Sequence, residues 1–173
     1  DEIIHLVREG AVDLGFTGMI VKDTRIRFIP VHQEKLIMVA SPRHRLAGRK
    51  ISLDDISGTP FIWREKGTQT RKLIEKWFDG QPRHRYPKEA VELENMEAAK
   101  RMVEEGYGIT VFPEAAVKRE IAAGLLKRLN LEGLNLVNSY YLLFLKGKKP
   151  TRAIEAFQKM LLNTPLLSHS RNL

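Results

Sequence analysis

The segment Gly67-Thr68-Gln69-Thr70 sets two hydroxyls, an amide and a run of backbone N–H groups directly ahead of a stretch ending at Phe78. In that stretch Leu73, Ile74, Trp77 and Phe78 fall on one helical face, so Thr68 or Thr70 is expected to cap a helix. A helix start carries unpaired N–H donors at the positive end of the dipole, which suits a carboxylate, a sulfate or a phosphate. Asn95-Met96, opening a second helical stretch, is another such place, and the turn Phe16-Thr17-Gly18 after a short apolar run is a third. Ligands of open α/β sheets settle outside the carboxyl ends of strands, where these turns fall. Ordinary capping accounts for each turn taken singly; only their meeting in one cleft makes a site.

Catalytic patterns do not compete with this reading. The chain has no Gly-x-Ser-x-Gly, no phosphate loop ending in Gly-Lys-Ser/Thr and no His-Glu-x-x-His. Gly106-Tyr107-Gly108 precedes a strand, not a helix, and lacks the third glycine of a dinucleotide fingerprint. The five histidines, His5, His32, His44, His84 and His169, show no ligand spacing. The paired carboxylates Asp54-Asp55 and Glu104-Glu105 are neighbours on polar faces. With no cysteine there is no disulfide, thiolate metal site or thiol nucleophile, and a reducing compartment is favoured. The expectation is a binding protein without metal or cofactor, and not an enzyme.

The elements that must hold these turns follow from periodicity and punctuation. Ile3, Ile4, Leu6 and Val7 make a helical stripe over residues 1–9, stopped by Gly10. Strands are expected over 12–16, 25–31 and 36–40, the last ended by Pro42. Ser52 and Asp55 have the spacing of a capping box for a short helix closed by Gly58. A strand over 61–63 then leads to the helix ending at Phe78, with Gly80 and Pro82 beyond it. Strand 90–93 leads to a helix from Met96 to Glu105 with Ala98, Ala99, Met102 and Val103 on its apolar side. Strand 109–112 leads to a helix with Pro113 at its first position, running to Ala123 and capped by Gly124. Strands over 125–129 and 137–145 and a final helix over 151–162 complete the chain. Alternating strands and helices argue for α/β layers with mostly parallel sheets.

At 173 residues, 43% hydrophobic and 29% charged, the chain is long enough for a substantial core without staples. Its longest apolar run, Tyr140 to Leu145, is far short of the ~20 residues a spanning helix needs. The net charge of +8 is spread along the chain, and its densest knot, Arg43-His44-Arg45 with Arg49-Lys50, is a solvated loop without aromatic interleaving. No basic-then-apolar leader pattern opens the chain, and the start at Asp1 reads as that of a piece of something longer.

Several of these segments, taken in order, resemble one family. The run Val7-Arg8-Glu9-Gly10-Ala11-Val12-Asp13-Leu14-Gly15-Phe16 is similar to a passage of the effector-binding domains of LysR-type transcriptional regulators. So are Leu36 to Ala47, Ile51 to Ile56, Pro60-Phe61-Ile62, the long block Glu94 to Pro113, and Gly124-Leu125-Leu126. No single match is specific, but the ordered set covers nearly the whole chain.

The resemblance implies a type 2 periplasmic-binding-protein-like fold, two α/β lobes joined by two crossing strands, with lobe I at 1–35 plus 140–173 and lobe II at 36–139. It implies an effector cleft lined by Thr17, Gly18, Gly67, Thr68, Gln69, Thr70, Asn95, Met96, Phe112 and Pro113, and a small, anionic effector. It also implies promoter DNA bound through a domain this chain does not contain, a homo-oligomer, and a cytoplasmic protein. The chain departs from the family in lacking the winged helix-turn-helix and the first strand, first helix and second strand of lobe I. Two of the family's usual effector-contacting hydroxyl loops belong to that part. The main alternative is a solute-binding protein of a transporter with the same fold. A deaminating synthase or a phosphoribosyltransferase is a more distant one, disfavoured by the absent catalytic constellation.

Overall fold

The computed structural model describes residues 2–81 and 86–163, so Pro82, His84 and His169 lie outside the described residues. The chain divides into two compact units, residues 1–33 with 139–173 and residues 34–138, and passes between them twice.

The first unit opens with α1 (Glu2–Arg8), which buries Ile4 and Val7. Next comes β1 (Leu14–Thr17), which pairs antiparallel with the end of a long strand that returns late in the chain, Leu14 opposite Phe144 and Thr17 opposite Tyr141. Among the described residues Ile4, Val7, Ile26 and Leu143 form a buried cluster in this unit, with Ile3, Val12, Val21, Phe28 and Leu145 packed against it.

From Ile26 the backbone stays extended to Ala40 as one strand, β2. The sequence pattern predicts separate strands over 25–31 and 36–40; the polar stretch His32-Gln33-Glu34-Lys35 between them contains no Gly, Pro, Asn or Asp to turn the chain, so extension continues through it. β2 carries the chain into the second unit.

There, β3 (Lys50–Ile51) leads to α2 (Leu53–Ile56), where the Asp55 carboxylate accepts from the Ser52 backbone N–H at 2.8 Å and from its hydroxyl at 2.9 Å. Then come β4 (Pro60–Arg64), α3 (Gln69–Asp79), β5 (Lys88–Leu93), α4 (Met96–Glu104) and β6 (Thr110–Pro113). Pro113 is the last residue of β6 and not the first of a long helix. The chain after it makes a 3-10 turn, Glu114–Val117, before the short α5 (Lys118–Ala122). The strand expected over 125–129 is likewise two short pieces, β7 (Lys127–Arg128) and β8 (Asn130–Leu131). β7 pairs with β2 while β8 moves off to pair with β3. Strand β9 (Leu136–Leu145) returns the chain to the first unit, where α6 (Arg152–Asn163) follows.

The expectation of mostly parallel sheets needs correction. β2 runs antiparallel to both β6 and β7, as β1 does to β9. Among the described residues, parallel pairing is confined to β3 with β8, β4 with β5, and a bridge from Phe61 to Ile109 just ahead of β6. A helical crossover imposes parallel direction only on the strands it joins, and β2 enters the unit from outside that series. Two clusters pack the faces of these strands, one of Leu36, Met38, Phe61, Trp63, Ile74 and Phe78 with their neighbours, the other of Ile37, Val39, Ile62, Ala99, Val103 and Phe112.

Within α4 the expected apolar face is shifted. Ala98 is exposed, and Lys100 is buried instead, its ammonium 2.8 Å from Glu97 and 2.6 Å from Glu120. A lysine accepts that place only because two carboxylates meet it there.

Acid sensitivity follows from two half-buried carboxylates that accept from backbone N–H groups. The Ser52 backbone N–H, then the Ser52 hydroxyl, holds Asp55 below its ordinary pKa. The Arg25 backbone N–H, at 2.9 Å, does the same for Asp23, with Arg8 assisting at 2.8 Å. A carboxyl whose folded pKa lies below its unfolded one stabilises the fold fully above about pH 4 and loses that contribution as pH falls through the folded value. The urea midpoint is therefore expected to stay level from neutral pH to about pH 5 and to fall below about pH 4, less steeply in Asp23→Asn and Asp55→Asn. A midpoint that rises on acidification contradicts this.

Candidate functional site

Strand direction brings two of the three turns singled out in the sequence, and the strand end Phe112-Pro113 that the family resemblance adds, to one edge of the second unit. β4 and β5 are parallel and end side by side, Arg64 opposite Leu93. On the other side of β4, Ile62 N–H donates to the Ile109 carbonyl and Ile109 N–H to the Pro60 carbonyl, both at 2.9 Å, so β6 leaves in the same direction. Gly67 to Thr70 follows the carboxyl end of β4, Asn95-Met96 that of β5, and Phe112-Pro113 is that of β6. This is the edge at which open α/β sheets receive ligands. Thr17 and Gly18 belong to the first unit, at the carboxyl end of β1.

The turn ahead of α3 is built for a helix start. Gly67 has φ +92° with open space where a Cβ would stand, so backbone conformation and not crowding calls for glycine. Thr68 is the N-cap: its hydroxyl donates to the Glu65 carbonyl at 2.9 Å and accepts from the Arg71 N–H at 3.4 Å. The N–H groups of Gln69 and Thr70 lie in the first turn, where no carbonyl within the helix can reach them. At α4 the Asn95 side chain accepts from the Ala98 N–H at 3.0 Å, while Met96 packs against the second core cluster. Phe112 is buried in that same cluster, so what it presents at the edge is backbone. Pro113 is half-buried opposite Leu36. In the first unit the buried Thr17 hydroxyl accepts from the Met19 N–H at 3.2 Å.

Charge at this edge is largely matched. Arg64 grips Glu65 through two contacts of 3.0 Å and holds its carboxyl below the ordinary range. Arg71, in the first turn of α3, is buried beneath the edge with its guanidinium carbon 3.9 Å from the centre of the Trp63 ring. Arginine is rarely buried, and the sequence signal for this one is slight, a Glu75 four residues on.

Other chemistry is not gathered here. Among the described residues no group of three or more His, Cys, Asp or Glu stands ready to hold a metal ion. The imidazole of His44 accepts from the Leu46 N–H, and burial, then the Arg45 charge, lowers its pKa. A cavity of about 360 Å³ between β2 and the β7–β8 segment, with Lys50 and Arg128 at its wall, is lined by none of the three turns. No described helix is long and apolar enough to cross a membrane.

A family model described as the LysR substrate binding domain matches residues 1–165. The chain is similar to the RuBisCO operon transcriptional regulator of Allochromatium vinosum, 27% identical over 172 residues, which are 99% of this chain and 56% of that protein. It is 30% identical to the HTH-type transcriptional regulator CbbR of Rhodospirillum rubrum over 156 residues, 90% of this chain and 51% of the relative. The chain thus spans about half the length of these curated relatives. Among solved structures, the regulatory domain of Synechocystis PCC6803 CcmR in complex with 2-PG superposes with a TM-score of 0.79 at 25% identity, covering 99% of this chain and 80% of that one.

Proposed function

Because this chain belongs to the LysR substrate-binding domain family, we propose that it senses a small anionic effector at the carboxyl edge of β4, β5 and β6, as the regulatory part of a transcription regulator. The observation that carries the reading is the convergence of two capped helix starts and the end of β6 on that one edge. In this proposal Thr68 and Thr70, Gln69 and the first-turn N–H groups of α3 hold the anion, Gly67 lets the backbone approach it, and Asn95, Met96, Phe112 and Pro113 border it. Thr17 and Gly18 are proposed as effector contacts on the strand-end turn they form and on the family resemblance.

Effector binding shifts an equilibrium between regulatory states by its differential affinity for them. Promoter binding is proposed of the longer regulator, which works as a homo-oligomer in the cytoplasm. The relatives named above are transcriptional regulators, which favours a sensor over a transporter's solute carrier. Conversion of the bound effector into a product contradicts the sensor role.

A thermal-shift series with 2-PG, inorganic phosphate and sulfate tests the site. At 100 times its dissociation constant a ligand stabilises by about 2.7 kcal/mol. That gain is expected for at least one of these probes and is expected to vanish in the Thr68→Ala/Thr70→Ala variant. The variant's own starting stability drops by about 1 kcal/mol through the lost cap, so the ligand-induced shift is the quantity to compare. An undiminished shift in the variant moves the anion away from α3, and no shift with any probe removes the anionic effector.

A further inference from the structure

We propose that Arg71 is the positioning residue of this edge, holding the turn between β4 and α3 against β5 so that the first-turn N–H groups of α3 stay set for an anion. The inference rests on the effector reading above and adds the part that keeps the site in shape.

The guanidinium makes contacts in four directions. Its Nε lies 2.5 Å from Glu75 Oε1 within α3. Its Nη1 donates to the Arg64 carbonyl at 3.2 Å, the last residue of β4, and stands 3.7 Å from Glu92 Oε2 on β5. Its flat face covers Trp63. Glu92 accepts at the other oxygen from the Lys66 N–H at 3.4 Å, inside the turn itself. The segment from Lys66 to Arg71 is therefore tied at both ends to one carboxylate, and the residues between the ties are the ones proposed to face a ligand.

A planar fork with donors along several edges fits this set of partners, whereas an ammonium can meet at most part of it and cannot stack on the ring. The side chain is 6% exposed and its charge is met by Glu75 and Glu92, so its contribution to a bound anion is geometric and not a direct charge contact.

The test compares wild type with Arg71→Met, which keeps volume over Trp63, and with Arg71→Lys and Glu92→Gln, in case the methionine variant does not fold. Amide hydrogen exchange is read at Lys66, Thr68 and Arg71, whose N–H groups donate to Glu92, to the Glu65 carbonyl and to the Thr68 hydroxyl, with the strand β2 as internal reference, and 2-PG and phosphate affinities are measured on the same samples. Arg71→Met is expected to speed exchange in the turn by about tenfold while β2 is unchanged. It is also expected to weaken probe binding by about tenfold or more, with Arg71→Lys restoring neither. In the double variant with Glu92→Gln the affinity loss should be no greater than in Arg71→Met alone, because both changes cut one tether. Unchanged exchange in the turn overturns the proposal, and so does faster exchange with wild-type affinity or full rescue by lysine. If wild type binds no probe the effector reading falls, and the exchange result alone then decides whether Arg71 sets the turn.

Discussion

Replacing Phe78 by alanine is expected to cost about 4 kcal/mol, a loss set by the size of the ring and the stiffness of its surroundings. The ring is fully buried at the end of α3, in contact with a ring of aromatic partners: edge-on to Trp77 at 5.0 Å, to Trp63 at 6.2 Å and to Phe61 at 6.4 Å, and tilted against Tyr86 at 5.2 Å. Rigid rings cannot close on the void as aliphatic chains can, so the cavity term stays near its full size. In a chain of this length the melting temperature should fall by about 10 °C. Phe78→Leu separates volume from aromatic contact: it refills much of the space but forfeits edge-to-face contacts worth about 0.5–1.5 kcal/mol each, and should cost about half as much. Equal stability of wild type and the alanine variant in a urea melt would mean that α3 is not anchored through this ring. The same packing fixes the direction in which α3 points its N-terminus, which links the aromatic cluster to the proposed anion turn.

The order of elements was legible because local signals and tertiary structure agree in most places. Thr68 and Asn95 cap the helices their positions announce, Ser52 and Asp55 form the expected cap, and Leu73, Ile74, Trp77 and Phe78 face the core. What escaped reading has a common cause, the use of polar residues where packing decides. The stretch His32 to Lys35 separates two expected strands, yet it lies inside a strand of 15 residues. Lys100 and Arg71 stand outside the expected apolar faces, yet each is buried because carboxylates several to many residues away close around it. Residue pattern alone offered the starts of α3 and α4 as separate turns, and only the family resemblance set them with Phe112-Pro113 in one cleft. Their meeting depends on β5, β4 and β6 lying side by side, a non-local fact that no periodicity encodes. The apolar stretches 36–40 and 137–145 offered two crossings around an inserted lobe, and the resemblance to a known family gave that plan its bounds.

That strand order makes Gly108 a tightly constrained backbone position in the second unit. A Cβ there would stand 2.6 Å from the Pro60 carbonyl oxygen and 3.0 Å from its carbonyl carbon, both main-chain atoms, and the same oxygen accepts the Ile109 N–H at 2.9 Å. No side chain can swing aside to make room, so either the hydrogen bond or the approach of β6 to β4 must give way. Gly108→Ala is expected to destabilise by about 3 kcal/mol, at the upper end of overpacking costs, and to lower the melting temperature by about 6–12 °C. Gly106→Ala is the control. Its φ of +86° disfavours any side chain, but nothing lies within 4 Å of the added carbon, so it should cost only about 1 kcal/mol. A comparable loss in the two variants would show that turn conformation, and not the close approach at Pro60, limits this segment. Because the bridge between Phe61 and Ile109 sets how β6 lies beside β4, a folded Gly108→Ala protein should also bind 2-PG or phosphate more weakly than Gly106→Ala does. The strain enters at the start of both strands, and their far ends carry Gly67 to Thr70 and Phe112-Pro113, so a strand that shifts at one end presents its turn differently at the other.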